Sequence, residues 1–113
     1  MTQAKNNLFE DELQELAQLF KAMGHPARLQ ILRFLGARDT CFSGDITEIV
    51  PLGRTTVNQH IAELKKAGLI KGTVQGNKTN YCLNQPIIDK LNALGVDFCK
   101  GLACKGSCDT KEC

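Results

Sequence analysis

PLGRTTVNQHIAELKKAGLIKGTVQGNKTNYCL, residues 51–83, is the stretch whose periodicity decides the fold. Its first half is helical. Gly53 opens a run from Arg54 to Ala67 in which Val57, Ile61 and Leu64 fall on one face, and Gly68 supplies a stop. Its second half changes period. Leu69–Val74 and Thr79–Leu83 are short β-prone runs on either side of Gln75-Gly76-Asn77-Lys78, the pattern of a β-hairpin with a polar tip.

Working outward, Ser43 is placed to cap a short helix whose apolar face is Ile46, Ile49 and Val50, and Pro51 ends it. Two helices joined by a three-residue turn containing glycine have the spacing of a helix-turn-helix. Upstream, Pro26 begins a helix that carries Ala27, Ile31, Leu32 and Leu35 inward to about Arg38, and Asp39–Phe42 reads as a connector or small strand. Before it, Leu8–Met23 is an amphipathic helix with Phe9, Leu13, Leu16, Ala17, Phe20 and Met23 as its stripe and acids in its first turns. Downstream, a last helix from Pro86 carries Ile87, Leu91, Leu94, Phe98 and Leu102, and residues 101–113 form a polar, cysteine-rich tail expected to be flexible. The expected fold is mainly α with a small β-hairpin wing, a winged helix-turn-helix spanning residues 1–100.

At about 100° per residue, the side of the Arg54–Ala67 helix opposite its apolar stripe carries Thr55, Gln59, Ala62 and Lys66, with Asn58 at the edge. Hydroxyls and amides hydrogen-bond base edges in the major groove, and Arg54 and Lys66 suit phosphate or guanine. The formal net charge of the 113 residues is only +2, too small to indicate nucleic acid by itself. The distribution is more telling. Residues 54–78 hold five bases (Arg54, Lys65, Lys66, Lys71, Lys78) against Glu63, whereas residues 1–20 hold four acids against Lys5. The expected DNA-binding set is Arg54, Thr55, Thr56, Asn58, Gln59, Lys66 and, at the wing, Lys78.

Composition excludes other classes. No apolar run reaches the roughly 18 residues a membrane span needs, and MTQAKNNL at the start has no signal-peptide core, so a cytoplasmic protein without membrane partners is expected. In a reducing compartment the six cysteines read as free thiols, metal ligands or redox switches rather than structural disulfides. An enzyme or metal carrier using them would need a positioned base or a C-x2-C pair, and neither is present.

Two blocks resemble the ArsR/SmtB family of winged-helix metalloregulators: Leu19-Phe20-Lys21-Ala22-Met23-Gly24-His25-Pro26-Ala27-Arg28-Leu29, and Thr55-Thr56-Val57-Asn58-Gln59-His60-Ile61 followed by Leu64 and Ala67-Gly68-Leu69-Ile70. The resemblance runs from about Phe9 to Leu83. It implies a homodimeric repressor, paired through its first and last helices, that releases double-stranded operator DNA when an inducer binds and requires no cofactor. A two-fold dimer would also set two recognition helices about one DNA turn apart.

The inducer must be read from this chain's own ligands. Against the family's zinc-sensing pattern, residues 86–99 lack histidine and hold only Asp89 and Asp97 as acids; against its cysteine-x-cysteine pattern, Cys41-Phe42-Ser43 keeps one thiol. The densest ligand set is Cys99, Cys104, Cys108 and Cys113, with Lys100, Lys105 and Lys111 beside them to favour thiolates. Three sulfurs suit trivalent arsenic or antimony; Cd(II) and Zn(II) are the alternatives. The expected ligands are Cys99, Cys104 and Cys108, with Cys113 and Cys41 as auxiliaries. On an unbroken helix Cys99 and Cys104 would point about 140° apart, so Gly101 or Gly106 must turn the chain. An oxidant-sensing disulfide or a zinc clip in the tail remains open. Cys82 between Tyr81 and Leu83 reads as packing, and His25 and His60 as residues of a helix junction and a helix flank.

Overall fold

The computed structural model describes residues 8–75 and 78–103, with the side chains of residues 74–78 excluded. Its elements follow the expected order: α1 (Asp11–Met23), α2 (Pro26–Gly36), β1 (Phe42–Ser43), a 3-10 helix (Ile46–Ile49), α3 (Arg54–Lys66), β2 (Ile70–Gln75), β3 (Lys78–Leu83) and α4 (Gln85–Gly101). The strands form one antiparallel sheet in the order β1-β3-β2. β3 pairs along its length with β2, from Gln75↔Lys78 to Ile70↔Leu83, and offers its other edge to β1 through Phe42↔Tyr81 and Ser43↔Asn80.

Local chemistry sets the boundaries. α1 starts with Asp11 and Glu12 and ends near Lys21, both matched to the helix dipole. α2 opens on Pro26, its first N–H satisfied by the ring of His25, whose Nδ1 accepts from the Ala27 N–H at 3.0 Å. It stops at Gly36, two residues short of the expected end. The short helix before α3 is a 3-10 turn, and its cap is Asp45 rather than Ser43. The Asp45 carboxylate accepts from the Thr47 N–H at 3.1 Å, while Ser43 is taken up in β1. α3 ends in a paired cap: Gly68 N–H donates to the Lys65 carbonyl and Leu69 N–H to the Leu64 carbonyl, both at 3.0 Å. That geometry holds Gly68 at φ +85°, where a side chain is strained.

The core lies where α2, the 3-10 helix, α3 and the start of β2 meet. Ile31, Ile46, Val57, Leu64 and Leu69 are sealed from solvent. Truncating such a side chain costs about 2–5 kcal/mol, against a typical total stability of about 5–15 kcal/mol, so this cluster rather than surface ion pairs orients α3. The stripe of α1 is divided. Leu16, Leu19 and Ala22 are buried, while Leu13, Ala17 and Phe20, expected to face inward, are exposed, as is Phe9, which lies ahead of the helix. α4 buries no residue fully; Ile87, Ile88 and Leu91 lean on the core, and Val96, Phe98 and Leu102 are exposed. α1 and α4 are joined by Glu15–Lys90 at 2.7 Å and by the approach of the Phe20 ring to Gly95.

Candidate DNA-reading face and thiol sites

α3 turns Val57, His60, Ile61 and Leu64 into the core, and the 100° step then sends Thr55, Thr56, Asn58, Gln59, Ala62 and Lys66 outward. All six are exposed. The hairpin β2–β3 follows directly, with Lys78 at the start of β3 and its side chain outside the described residues. A cleft of about 400 Å³ separates the head of α3 from the wing; Asp45, Arg54, Asn58, Thr79 and Tyr81 line it.

Arg54 is not a free cation. Its guanidinium grips Asp45 through two hydrogen bonds, at 2.7 and 3.3 Å. The Asp45 carboxylate also accepts from the Thr47 hydroxyl and N–H. The hydrogen bonds from Arg54 and Thr47 lower the Asp45 pKa to about 2, and the same pairing raises that of Arg54. The pair is solvent-exposed and adds little stability; its effect is to point the arginine.

The middle of α3 is held by a junction of the two histidines expected at a helix junction and a helix flank. His60 is 8% exposed, and its Nδ1 accepts from Arg28 Nε at 3.0 Å; Arg28 also donates to the Ala22 carbonyl at 3.0 Å. The His25 ring lies 4.2 Å from the His60 ring, centroid to centroid. Burial first, then the neighbouring His25 and Arg28, push the His60 pKa below its usual 6.5. A neutral imidazole accepting at Nδ1 carries its proton on Nε2. Arg28 on α2 thereby ties α1 and α3 together through two hydrogen bonds, with the His25 ring of the α1–α2 turn packed beside them.

The cysteines depart from expectation. Cys41 and Cys82 form a disulfide, with Cα atoms 4.6 Å apart. Cys82 is therefore bonded rather than merely packed, and Cys41 in this state is no thiolate ligand. The pairing β1–β3 brings together two residues 41 positions apart; the signal available in the sequence was a cysteine inside each of two short stretches read as connector or strand, without the register that aligns them. Cys99 is a free, exposed thiol near the end of α4, beside a groove of about 580 Å³ lined by Phe20, Met23, Leu91 and Val96. Cys104, Cys108 and Cys113 lie outside the described residues, and among the described residues no three potential ligands converge on a metal position. No helix among them is long and apolar enough to cross a membrane.

Comparison with known proteins agrees with this geometry. Residues 23–73 match a helix-turn-helix domain family. The chain is 30% identical over 80 residues to the HTH-type transcriptional regulator YgaV of Escherichia coli, an alignment covering 71% of this chain and 81% of that protein. It is 28% identical over 98 residues to the cadmium resistance regulatory protein CadC of Listeria innocua, covering 87% and 82%. Among solved structures, HlyU from Vibrio cholerae superposes with a TM-score of 0.60 at 28% identity, covering 76% of this chain and 97% of that one. An ArsR family transcriptional regulator, RHA00566, gives a TM-score of 0.64 at 16% identity, covering 82% and 95%, a likeness of fold. These relatives are DNA-binding regulators rather than enzymes, and the chain belongs with them to the ArsR/SmtB family of winged helix-turn-helix transcriptional regulators.

Proposed function

We propose that the protein is a homodimeric repressor that holds operator DNA through α3 and its wing and releases it when tail thiolates capture a thiophilic ion, arsenite or antimonite first among them. The observation that carries the DNA half is the exposed row Thr55, Thr56, Asn58, Gln59 and Lys66 on a helix whose other side is locked in the core. Amide and hydroxyl groups at that spacing read base edges, and Lys66 meets phosphates, with Arg54 joining it where the guanidinium gives up Asp45.

Support for the dimer comes from apolar surface on the terminal helices. Leu13, Phe20, Val96 and Phe98 are each at least 40% exposed on two helices already in contact, and Leu102, just past the end of α4, extends the surface. A two-fold partner would cover them and pair two copies of α3. Support for thiophilic sensing comes from the thiol density of Cys99, Cys104, Cys108 and Cys113, and from similarity to a cadmium resistance regulator. Cys99 rims the groove between α1 and α4, so an ion held there would pull on the same helices that form the dimer.

The test is release of a labelled upstream DNA fragment on titration with arsenite, antimonite, Cd(II), Zn(II) and peroxide in anaerobic buffer. Release by arsenite at stoichiometric amounts, lost in Cys99→Ser and Cys104→Ser, is the expected result. Release by peroxide alone rejects the metalloid reading.

A further inference from the structure

The disulfide sits at the mechanical joint between the wing and the helix-turn-helix. Cys41 immediately precedes β1, and β1 runs through Gly44 into Asp45, the residue that caps the 3-10 helix and grips Arg54 at the head of α3. Cys82 lies in β3, the returning strand of the wing. One covalent bond therefore links the segment that sets the start of α3 to the wing beside it.

The bond is also reachable. Cys41 is exposed and Cys82 half-buried, and both line a cavity of about 250 Å³ together with Arg38 and Gln85. That is several water volumes, room for a small thiol to approach. The Arg38 guanidinium is stacked on the rings of Phe34 and Phe42, 5.5 and 5.0 Å from their centroids, which fixes a positive charge at the cavity where it favours a thiolate once the bond is open.

We infer that Cys41 and Cys82 are a reversible redox clasp, distinct from the tail thiols, whose closure locks the wing against the segment feeding α3 and strengthens DNA binding. Closure requires a low-molecular-weight disulfide. The Cys41 thiolate attacks one sulfur of RSSR, forming Cys41–S–SR and expelling RS⁻; the Cys82 thiolate then attacks the Cys41 sulfur and expels the second RS⁻. Two electrons pass from the protein to RSSR, and the two thiol protons leave on two RSH. Two equivalents of thiol reverse the sequence. Closure leaves Thr55, Thr56, Asn58 and Gln59 exposed, so it does not mask the reading face. It removes wing freedom that DNA would otherwise have to quench, and preorganisation of that kind raises affinity.

The inference rests on the operator-binding reading, and the test separates the two. Full-length protein is equilibrated with oxidised glutathione or with reduced dithiothreitol, then followed by non-reducing peptide mapping, amide hydrogen exchange over residues 79–83 and fluorescence anisotropy on an upstream DNA fragment. The expected results are a linked Cys41–Cys82 peptide only in the oxidised sample, slower exchange there, and DNA binding about fivefold or more tighter, a coupling of ordinary allosteric size. Cys41→Ser and Cys82→Ser should each abolish the redox dependence. Equal exchange in the two states, equal or tighter binding by the reduced form, or a redox response of the same size surviving in Cys82→Ser when Cys99, Cys104, Cys108 and Cys113 are also serine would overturn the clasp. If neither form binds DNA, the operator reading fails, and the exchange difference in the unaltered chain still decides the clasp.

Discussion

Replacing Cys82 with serine removes a cross-link whose contribution is calculable from the loop it closes. Cys41 and Cys82 are separated by 41 positions, and the enclosed chain contains the whole of α3 and β2. Chain-entropy arithmetic for a loop of that length gives about 13 cal/mol/K, or about 4 kcal/mol at 25 °C, lost from the unfolded ensemble when the bond is closed. At about 2.1 cal/mol/K of unfolding entropy per residue, a chain of 113 residues has an unfolding entropy near 0.24 kcal/mol/K. The cross-link is thus worth roughly 15 °C in Tm. Differential scanning calorimetry reads this directly, with protein concentration held fixed because coupled association would move Tm as well. In oxidising buffer the unaltered chain should melt roughly 15 °C above Cys82→Ser, and in dithiothreitol the two should coincide within about 2 °C. Coincident melting in oxidising buffer would refute the reasoning, since no bond of this loop length could then be closed in solution.

Asn58→Ala and Gln59→Ala should each weaken binding to specific DNA by about 1–3 kcal/mol per lost base contact while leaving the melting temperature unchanged, checked by anisotropy against a scrambled duplex. His60 has a folded pKa below its unfolded value, so its contribution to stability is complete above about pH 6.5 and is lost as pH falls through the folded pKa. Urea titrations between pH 7.5 and 5 should therefore show declining stability, and His60→Asn, whose amide oxygen can still accept from Arg28, should flatten that slope. Gly68→Ala should cost about 1–2 kcal/mol by urea denaturation, because φ +85° is strained for any residue with a Cβ.

What could be read from the sequence follows the range of the forces involved. The start of α2 and both ends of α3 were legible because Pro26, Gly53 and Gly68 act on their own neighbours, and the outward row of α3 because Val57, Ile61 and Leu64 fix the helix's rotation. The inward face of α1 was not. From Ala22 and Leu19 through Leu16, Met23, Phe20 and Leu13 to Ala17, apolar residues span about 220° of the helix at 100° per residue, and periodicity cannot say which part of so wide an arc meets the core. The cap of the 3-10 helix was misplaced by two residues because Ser43 and Asp45 are both good caps, and pairing with Asn80 commits Ser43 to the sheet. The Cys41–Cys82 bond and the Arg28–His60 contact were hidden for one shared reason: each joins residues more than thirty positions apart, through a register or a packing angle that exists only once the chain has closed.

The grip of Asp45 on Arg54 bears on how strongly the protein should respond to ionic strength. Counting formal charges between residues 54 and 78 overstates the field offered to a duplex, since one of the five cations arrives already neutralised. Each phosphate neutralised by the protein contributes about 0.9 to the slope of log affinity against log salt. A slope that leaves Arg54 out of the tally means the arginine stays with its carboxylate on the duplex, and one unit more means it has changed partners and left Asp45 facing the sugar-phosphate backbone as a repulsive neighbour.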